Sequence, residues 1–134
     1  LKLLLALPVI AVFGCSSASS LDRAALTGTV TCDGKPLEHG MIGLLPTGDT
    51  RGPQGSAAIE ADGTYEVQTA GKPGAVIGTH KVVVQCREML SPREVREMKV
   101  GRSLIPAQYT SYDDTPLTVE IKPGKNVFDI ELTR

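Results

Sequence analysis

Apolar and polar residues alternate along much of the chain after residue 26, with the period of two that is typical of half-buried β-strands. The alternation is clear at 26–32 and 41–45, and 79–86 adds three successive valines, a residue type favoured in strands. Between the first two stretches, the Asp-Gly-Lys-Pro run at 33–36 predicts a turn, because Asp-Gly tolerates positive φ and proline ends a strand. The pattern predicts a domain of short strands joined by tight turns.

Two hairpins are also predicted. One joins 56–60 to 64–68, and the other joins 117–121 to 127–132, while 105–109 reads as extended chain. In the second hairpin, alternate apolar residues face inward: Leu117, Val119, Ile121, Phe128, Ile130 and Leu132. With about seven short strands in all, we expect an all-β fold, a Greek-key β-sandwich.

One segment, 87–102, breaks the alternation. Its Ser91-Pro92-Arg93-Glu94 sequence is a capping box with proline at the first helical position, and Gly101 is a candidate C-cap. These signals predict a short helix near 92–99, and a mobile charged loop is the alternative. In the helix, two apolar residues at three-residue spacing would face the domain: Val95 and Met98.

The same segment carries charges of alternating sign. Such a run is usually a solvated helix face, and the second interpretation is a docking surface for a partner, since loops carry function disproportionately. The residues concerned are Arg93, Glu94, Arg96, Glu97 and Lys99.

The first 25 residues differ in character from the rest. Eleven mostly apolar positions at 3–13 fit the core of a signal peptide and are too few to span a bilayer. The Val-Phe-Gly-Cys sequence that ends at Cys15 resembles the lipobox of bacterial lipoproteins, although Phe13 stands where a small residue is usual. We therefore expect a signal peptide at 1–14, a lipidated Cys15 and a single domain at 26–134. An ordinary secretory signal is the alternative.

The lipid interpretation sets the expected location. Residues 15–25 would form a polar tether, and two acyl chains on the cysteine suffice for stable anchoring. We expect an exported protein that is anchored to the cell membrane or outer membrane, with its domain in the periplasm or on the cell surface. The membrane, reached through this lipid, would be its first partner.

Composition narrows the class further. Removing residues 1–14 from the 134 leaves 120, enough for one domain. The whole chain has 14 basic and 15 acidic side chains, a balance that argues against nucleic-acid binding. Fourteen glycines and nine prolines favour a turn-rich β domain.

Three cysteines are present, and lipidation of Cys15 would leave Cys32 and Cys86. Each of these two continues an apolar alternation, so both should point into the core. In an oxidising compartment they form either a disulfide or two buried free thiols, and the sequence leaves both open.

No residue pattern indicates catalysis, a metal or a cofactor. His39 and His80 are the only histidines, and no metal-ligand spacing surrounds them. We expect His39 to lie on the surface and His80 to lie at one end of the sandwich. No nucleophile motif occurs. Four loop aspartates carry oxygen atoms of the kind that calcium binds, but aspartates in loops are more typical of turns: Asp49, Asp62, Asp113 and Asp114.

Several short motifs resemble the carboxypeptidase-regulatory-like, or transthyretin-like, domain. They are GTVTCDGKPL at 28–37, ADGTY at 61–65 and GTHKV at 78–82. The C-terminal half, with IPAQY at 105–109, resembles small planctomycete-type lipoproteins that carry such a domain. The resemblance covers nearly the whole chain after the tether, and His80 stands where an aromatic residue is usual.

This resemblance implies a prealbumin-like sandwich that acts as an accessory module without a peptidase site. We therefore expect a non-enzymatic, lipid-anchored binding or structural module of the cell envelope, which presents loops or strand edges to a protein or polymer partner. Tyr109 and Tyr112 belong to the expected docking residues. The alternative is a carbohydrate-binding envelope module, in which these two rings would stack on sugars.

Overall fold

The computed structural model describes residues 22–134, which form two β-sheets and two short helices. The helices are α1 (Pro92–Arg96) and a 3₁₀ helix (Ala107–Thr110). The strands, numbered along the chain, are β1 (Arg23–Cys32), β2 (Lys35–Pro36), β3 (Met41–Pro46), β4 (Gly55–Ala58), β5 (Thr64–Glu66), β6 (Gln68–Thr69), β7 (Lys72–Pro73), β8 (Ala75–Val76), β9 (Gly78–Gln85), β10 (Thr118–Ile121), β11 (Lys125–Val127) and β12 (Ile130–Leu132).

The first sheet is organised around β1. On one side β1 pairs in parallel with β11 and β12, with Thr27 opposite Val127 and Val30 opposite Ile130. On the other side it pairs antiparallel with β2, β5 and β8. A single ten-residue strand therefore holds both the C-terminal strands and three short central ones.

The second sheet has the order β10-β9-β3-β4-β6-β7, with all its pairs antiparallel. The valine-rich strand β9 lies inside it between β10 and β3, which explains why apolar residues follow one another there.

The apolar faces of the two sheets form one core. Its most deeply buried members come from both sheets: Leu26, Val30, Ile42, Leu44, Val67, Val82, Val84, Ile121, Ile130 and Leu132. The predicted all-β sandwich is thereby confirmed. Among residues 22–134, no helix is long and apolar enough to cross a membrane.

The turn after β1 follows its sequence. Asp33 and Gly34 both have positive φ, 51° and 82°, as a two-residue hairpin turn requires. Cys32 and Lys35 pair on either side of it. β1 itself begins at Arg23, three residues before the predicted start of the domain at 26.

The first predicted hairpin is confirmed at its tip and at its open end, and the second is wrong in its pairing. In the first hairpin, the Glu60 amide donates to the Thr64 carbonyl, and Ser56 pairs with Gln68 where β4 lies beside β6 in the second sheet. Between these two points, β5 pairs with β1 in the first sheet. In the second, β10 pairs with β9, while β11 and β12 pair with β1. The chain therefore crosses from the second sheet to the first between β10 and β11.

Two local predictions also need correction. The stretch predicted to be extended at 105–109 runs into the 3₁₀ helix instead. Gly101 does not end α1. The chain leaves the helix at Glu97, and Met98 takes the positive φ of 56°.

Candidate docking surface

Residues 87–103 form a loop that projects from the sandwich, called the arm below. Its base is closed by an antiparallel bridge between Arg87 and Ser103 and by a hydrogen bond from the Glu88 amide to the Arg102 carbonyl, 2.9 Å. Arg87 Nη1 donates to the Gly101 carbonyl at 2.9 Å. Gly101 is required here, because a Cβ would collide with the Glu88 carbonyl oxygen.

An ion pair reinforces this base. Arg102 Nε and Nη2 donate to Glu88 Oε1 at 3.0 and 2.7 Å, and these hydrogen bonds lower the pKa of Glu88. Both side chains are substantially exposed, so the pair orients the arm more than it stabilises the fold.

The predicted capping box of α1 is confirmed. The Glu94 amide donates to Ser91 Oγ, and the Ser91 amide donates to Glu94 Oε2 at 2.9 Å. Hydrogen bonds from the Ser91 amide and hydroxyl lower the pKa of Glu94. The sequence therefore specifies the helix start correctly, although the helix is only five residues long.

The charged residues predicted for docking are exposed or half-exposed, and most of them pair with one another. Glu97 accepts a hydrogen bond from Arg93 at 2.9 Å and lies 3.1 Å from the Lys99 ammonium group. These two contacts lower the pKa of Glu97, and the contact with Arg93 has the larger effect. Arg96 forms no ion pair with any residue of 22–134. The charged face that the sequence indicated is exposed, with Glu97 paired to two cations and Glu94 hydrogen-bonded to Ser91.

The apolar residues of the arm are the feature that sequence reasoning missed. Val95 and Met98 were expected to face the domain and are exposed instead, at 60% and 89%. Met89 and Val100 are exposed at 80% and 77%, and no residue of α1 is buried. The dense charge around such a short helix was the available signal, because it leaves no continuous apolar stripe that could seat the helix on the core.

The arm lies at one end of the sandwich. Strand β1 starts where Arg23 pairs with Val76 and ends where Cys32 pairs with Leu132. The arm leaves the sandwich after Cys86, at the Cys32 end. A strand of this length spans about 30 Å, so the arm is about that far from the end where the chain enters the domain.

The two tyrosines do not join this surface. Tyr109 is buried in the core, and Tyr112 is half-buried over β3, where its hydroxyl would meet a Cβ at Gly43. Burial of Tyr109 leaves only the half-buried Tyr112 for the ring stacking that the carbohydrate interpretation requires.

Cys32 and Cys86 are buried as predicted, and both are free thiols in the described structure. Burial, and secondarily the neighbouring Cys32, raises the pKa of Cys86. His39 Nε2 lies 3.7 Å from the Cys86 sulfur, but it donates to the Arg87 carbonyl at 2.6 Å. That nitrogen therefore has no lone pair for the thiol proton, and the arrangement does not activate a nucleophile. A disulfide in an oxidising compartment stays one of the two alternatives that the sequence leaves open.

His80 is fully buried within β9, near the end of the sandwich where the chain enters. Its Nε2 donates to the Val76 carbonyl at 2.6 Å, and its Nδ1 has no hydrogen-bond partner among the described residues. No group of three or more His, Cys, Asp or Glu side chains within 22–134 converges as metal ligands. Asp62 forms a turn as expected, and its hydrogen bonds from Thr64 lower its pKa.

Comparison with known proteins found no matching family model, no matching curated protein and no matching solved structure.

Proposed function

We propose that this protein is a lipid-anchored, non-catalytic binding module of the bacterial cell envelope, of the transthyretin-like lipoprotein type that its sequence resembles. The arm is the surface with which it docks a protein partner. The observation that carries this proposal is the exposure of four large apolar side chains on one ordered loop: Met89, Val95, Met98 and Val100.

Exposed apolar residues scattered singly are ordinary, but four within twelve consecutive positions are not. Burial of one such side chain against a partner is worth about 1.5–3 kcal/mol. The base of the arm, held by Arg87, Glu88 and Arg102, limits the conformational entropy that docking would cost.

The position of the arm fits an anchored protein. With Cys15 in the membrane, the chain would enter the domain at Arg23, and the arm would lie at the far end of β1. A partner would then meet the arm on the side of the domain away from the anchor.

The absence of a catalytic role is supported by how the reactive groups are engaged. Burial keeps Cys86 protonated, and His39 donates to a backbone carbonyl. A protein partner is favoured over a polysaccharide because the exposed side chains of the arm are aliphatic and thioether groups, whereas sugar sites need exposed rings.

Photo-cross-linking tests the docking surface. A photoreactive residue at Met98, in protein expressed in envelope membranes, should capture a specific protein. The same residue at the exposed Lys122 should capture none. Met98→Ser should reduce capture from a photoreactive residue at Val95, and Met41→Ser, which changes a half-exposed methionine outside the arm, should not. Equal capture from both sites would refute the arm as the docking surface.

Membrane fractionation tests the anchor separately. Cys15→Ser should move the protein from the membrane fraction to the soluble fraction, and metabolic acyl labelling should be lost with it. Cys86→Ser serves as the control and should retain both. Continued membrane association of Cys15→Ser would refute lipidation.

A further inference from the structure

The arm has a net positive charge in addition to its apolar residues. It contains five basic and three acidic side chains, and each acidic one is engaged within the arm, by Arg102, by Ser91, or by Arg93 and Lys99. Arg96 is left without a counter-charge from the described chain. The surface thus combines apolar side chains with an uncompensated cation.

A groove on the outer face of the first sheet has the opposite character. Its volume is about 450 Å³, and exposed Val127 lies in its lining beside three exposed carboxylates, those of Glu60, Glu66 and Asp129. Asp129 accepts hydrogen bonds from the amide and hydroxyl of Thr29, each at 3.1 Å. Glu60 and Glu66 have no side-chain partner in 22–134, and they also line a second hollow of about 290 Å³.

We propose that the arm of one copy docks in this groove of a second copy. The proposal rests on the docking role proposed above and names the partner. Met98 and Val95 would pack beside Val127, and Arg96 would approach Glu60 and Glu66. The two surfaces are complementary in charge and in apolar character, and within one copy each is left open to solvent.

Such a contact joins two different surfaces, so it is heterologous and propagates head to tail into a chain or closed ring. Val127 lies on β11, which pairs only with β1 among the described strands, so the groove borders an open sheet edge. The next copy can therefore approach without displacing a strand.

Sedimentation velocity of the full protein in detergent tests the contact. We expect concentration-dependent association that weakens as salt rises, because the charges are exposed. Arg96→Glu in the arm and Glu66→Lys in the groove should each weaken association tenfold or more. Arg51→Glu, an equivalent change at an exposed position outside both surfaces, should leave it unchanged.

Mixing the variants gives the decisive result. Arg96→Glu keeps an intact groove and Glu66→Lys keeps an intact arm, so an equimolar mixture should associate more strongly than either variant alone. Association unaffected by Glu66→Lys would overturn the groove as the receptor.

An unmodified protein that stays monomeric while Met98 still cross-links to another protein would overturn the self-contact and leave the docking function standing. If a photoreactive residue at Met98 captured no protein at all, both the self-contact and the docking function would be overturned.

Discussion

Valines in β9 and valines in the arm, fewer than twenty residues apart, have opposite environments. Val82 and Val84 are buried between the two sheets, whereas Val95 and Val100 face solvent. The strand is held on both sides by β3 and β10, while the hydrogen bonds that tie the arm to the rest of residues 22–134 lie at its base. Apolar residues in β9 stabilise the fold, whereas Val95 and Val100 bury little of their surface within the described chain, which is why we propose a binding role for them.

The largest expected effect comes from truncating one apolar side chain in the core and comparing it with the same truncation in the arm. Leu44→Ala, in the core, should lower the free energy of unfolding by about 2–5 kcal/mol. Met98→Ala should change it by about 0.5 kcal/mol or less. Urea denaturation measures both. A comparable loss from Met98→Ala would show that the arm packs on the domain in solution.

The next effect concerns Tyr65, whose buried hydroxyl donates to the Phe128 carbonyl and links β5 to the C-terminal strands. Tyr65→Phe leaves that carbonyl without its donor and should cost about 1–3 kcal/mol. Chemical denaturation checks this, with Tyr112→Phe as the control on a half-buried ring.

Tyr65 also predicts an alkaline pH dependence. Burial raises its pKa, so the unfolded chain releases this proton first, and stability falls as pH rises above about 10. Below that pH its contribution is fully present. Tyr65→Phe should reduce the alkaline slope of stability, and an unchanged slope would place the cause elsewhere.

A smaller, local effect is expected at the base of the arm. Gly101→Ala would push a Cβ into the Glu88 carbonyl and open the base without touching the core. Hydrogen exchange at the Glu88 amide should accelerate, while the amides of β9 keep their protection. Accelerated exchange in both would mean that the arm and the core are one cooperative unit.

The smallest effect should come from Glu88→Gln. It removes the charge that pairs with Arg102 and should leave thermal stability unchanged, with slightly faster exchange at the base. Because the folded state lowers the pKa of Glu88, its contribution is present above the ordinary glutamate pKa and is lost as pH falls through the lowered value. Glu120→Gln, at an exposed strand position, is the control.

The strands were predictable wherever local pattern and packing agree. The period of two identified β1, β3, β9 and β10, and the Asp33-Gly34 turn followed from the positive φ that those residues tolerate. The capping box at Ser91 was predictable for the same reason, because its hydrogen bonds span only three residues.

Strand pairing was not predictable in this way. The neighbours in sequence β10 and β11 lie in different sheets, and β11 pairs in parallel with a strand about a hundred residues earlier. Alternation shows which face of a strand is apolar, but it does not show which of the two sheets the strand joins. The burial of Tyr109 and the exposure of Met98 likewise depend on which segments, distant in sequence, pack against each residue.

The sequence by itself determined the fold class, the turns and the start of the helix, because each depends on residues within a few positions of one another. Only the tertiary structure decided that the arm stands clear of the core and that its apolar residues stay exposed. Burial is a property of the assembled layers, since a side chain leaves water only when distant segments supply the surface that covers it.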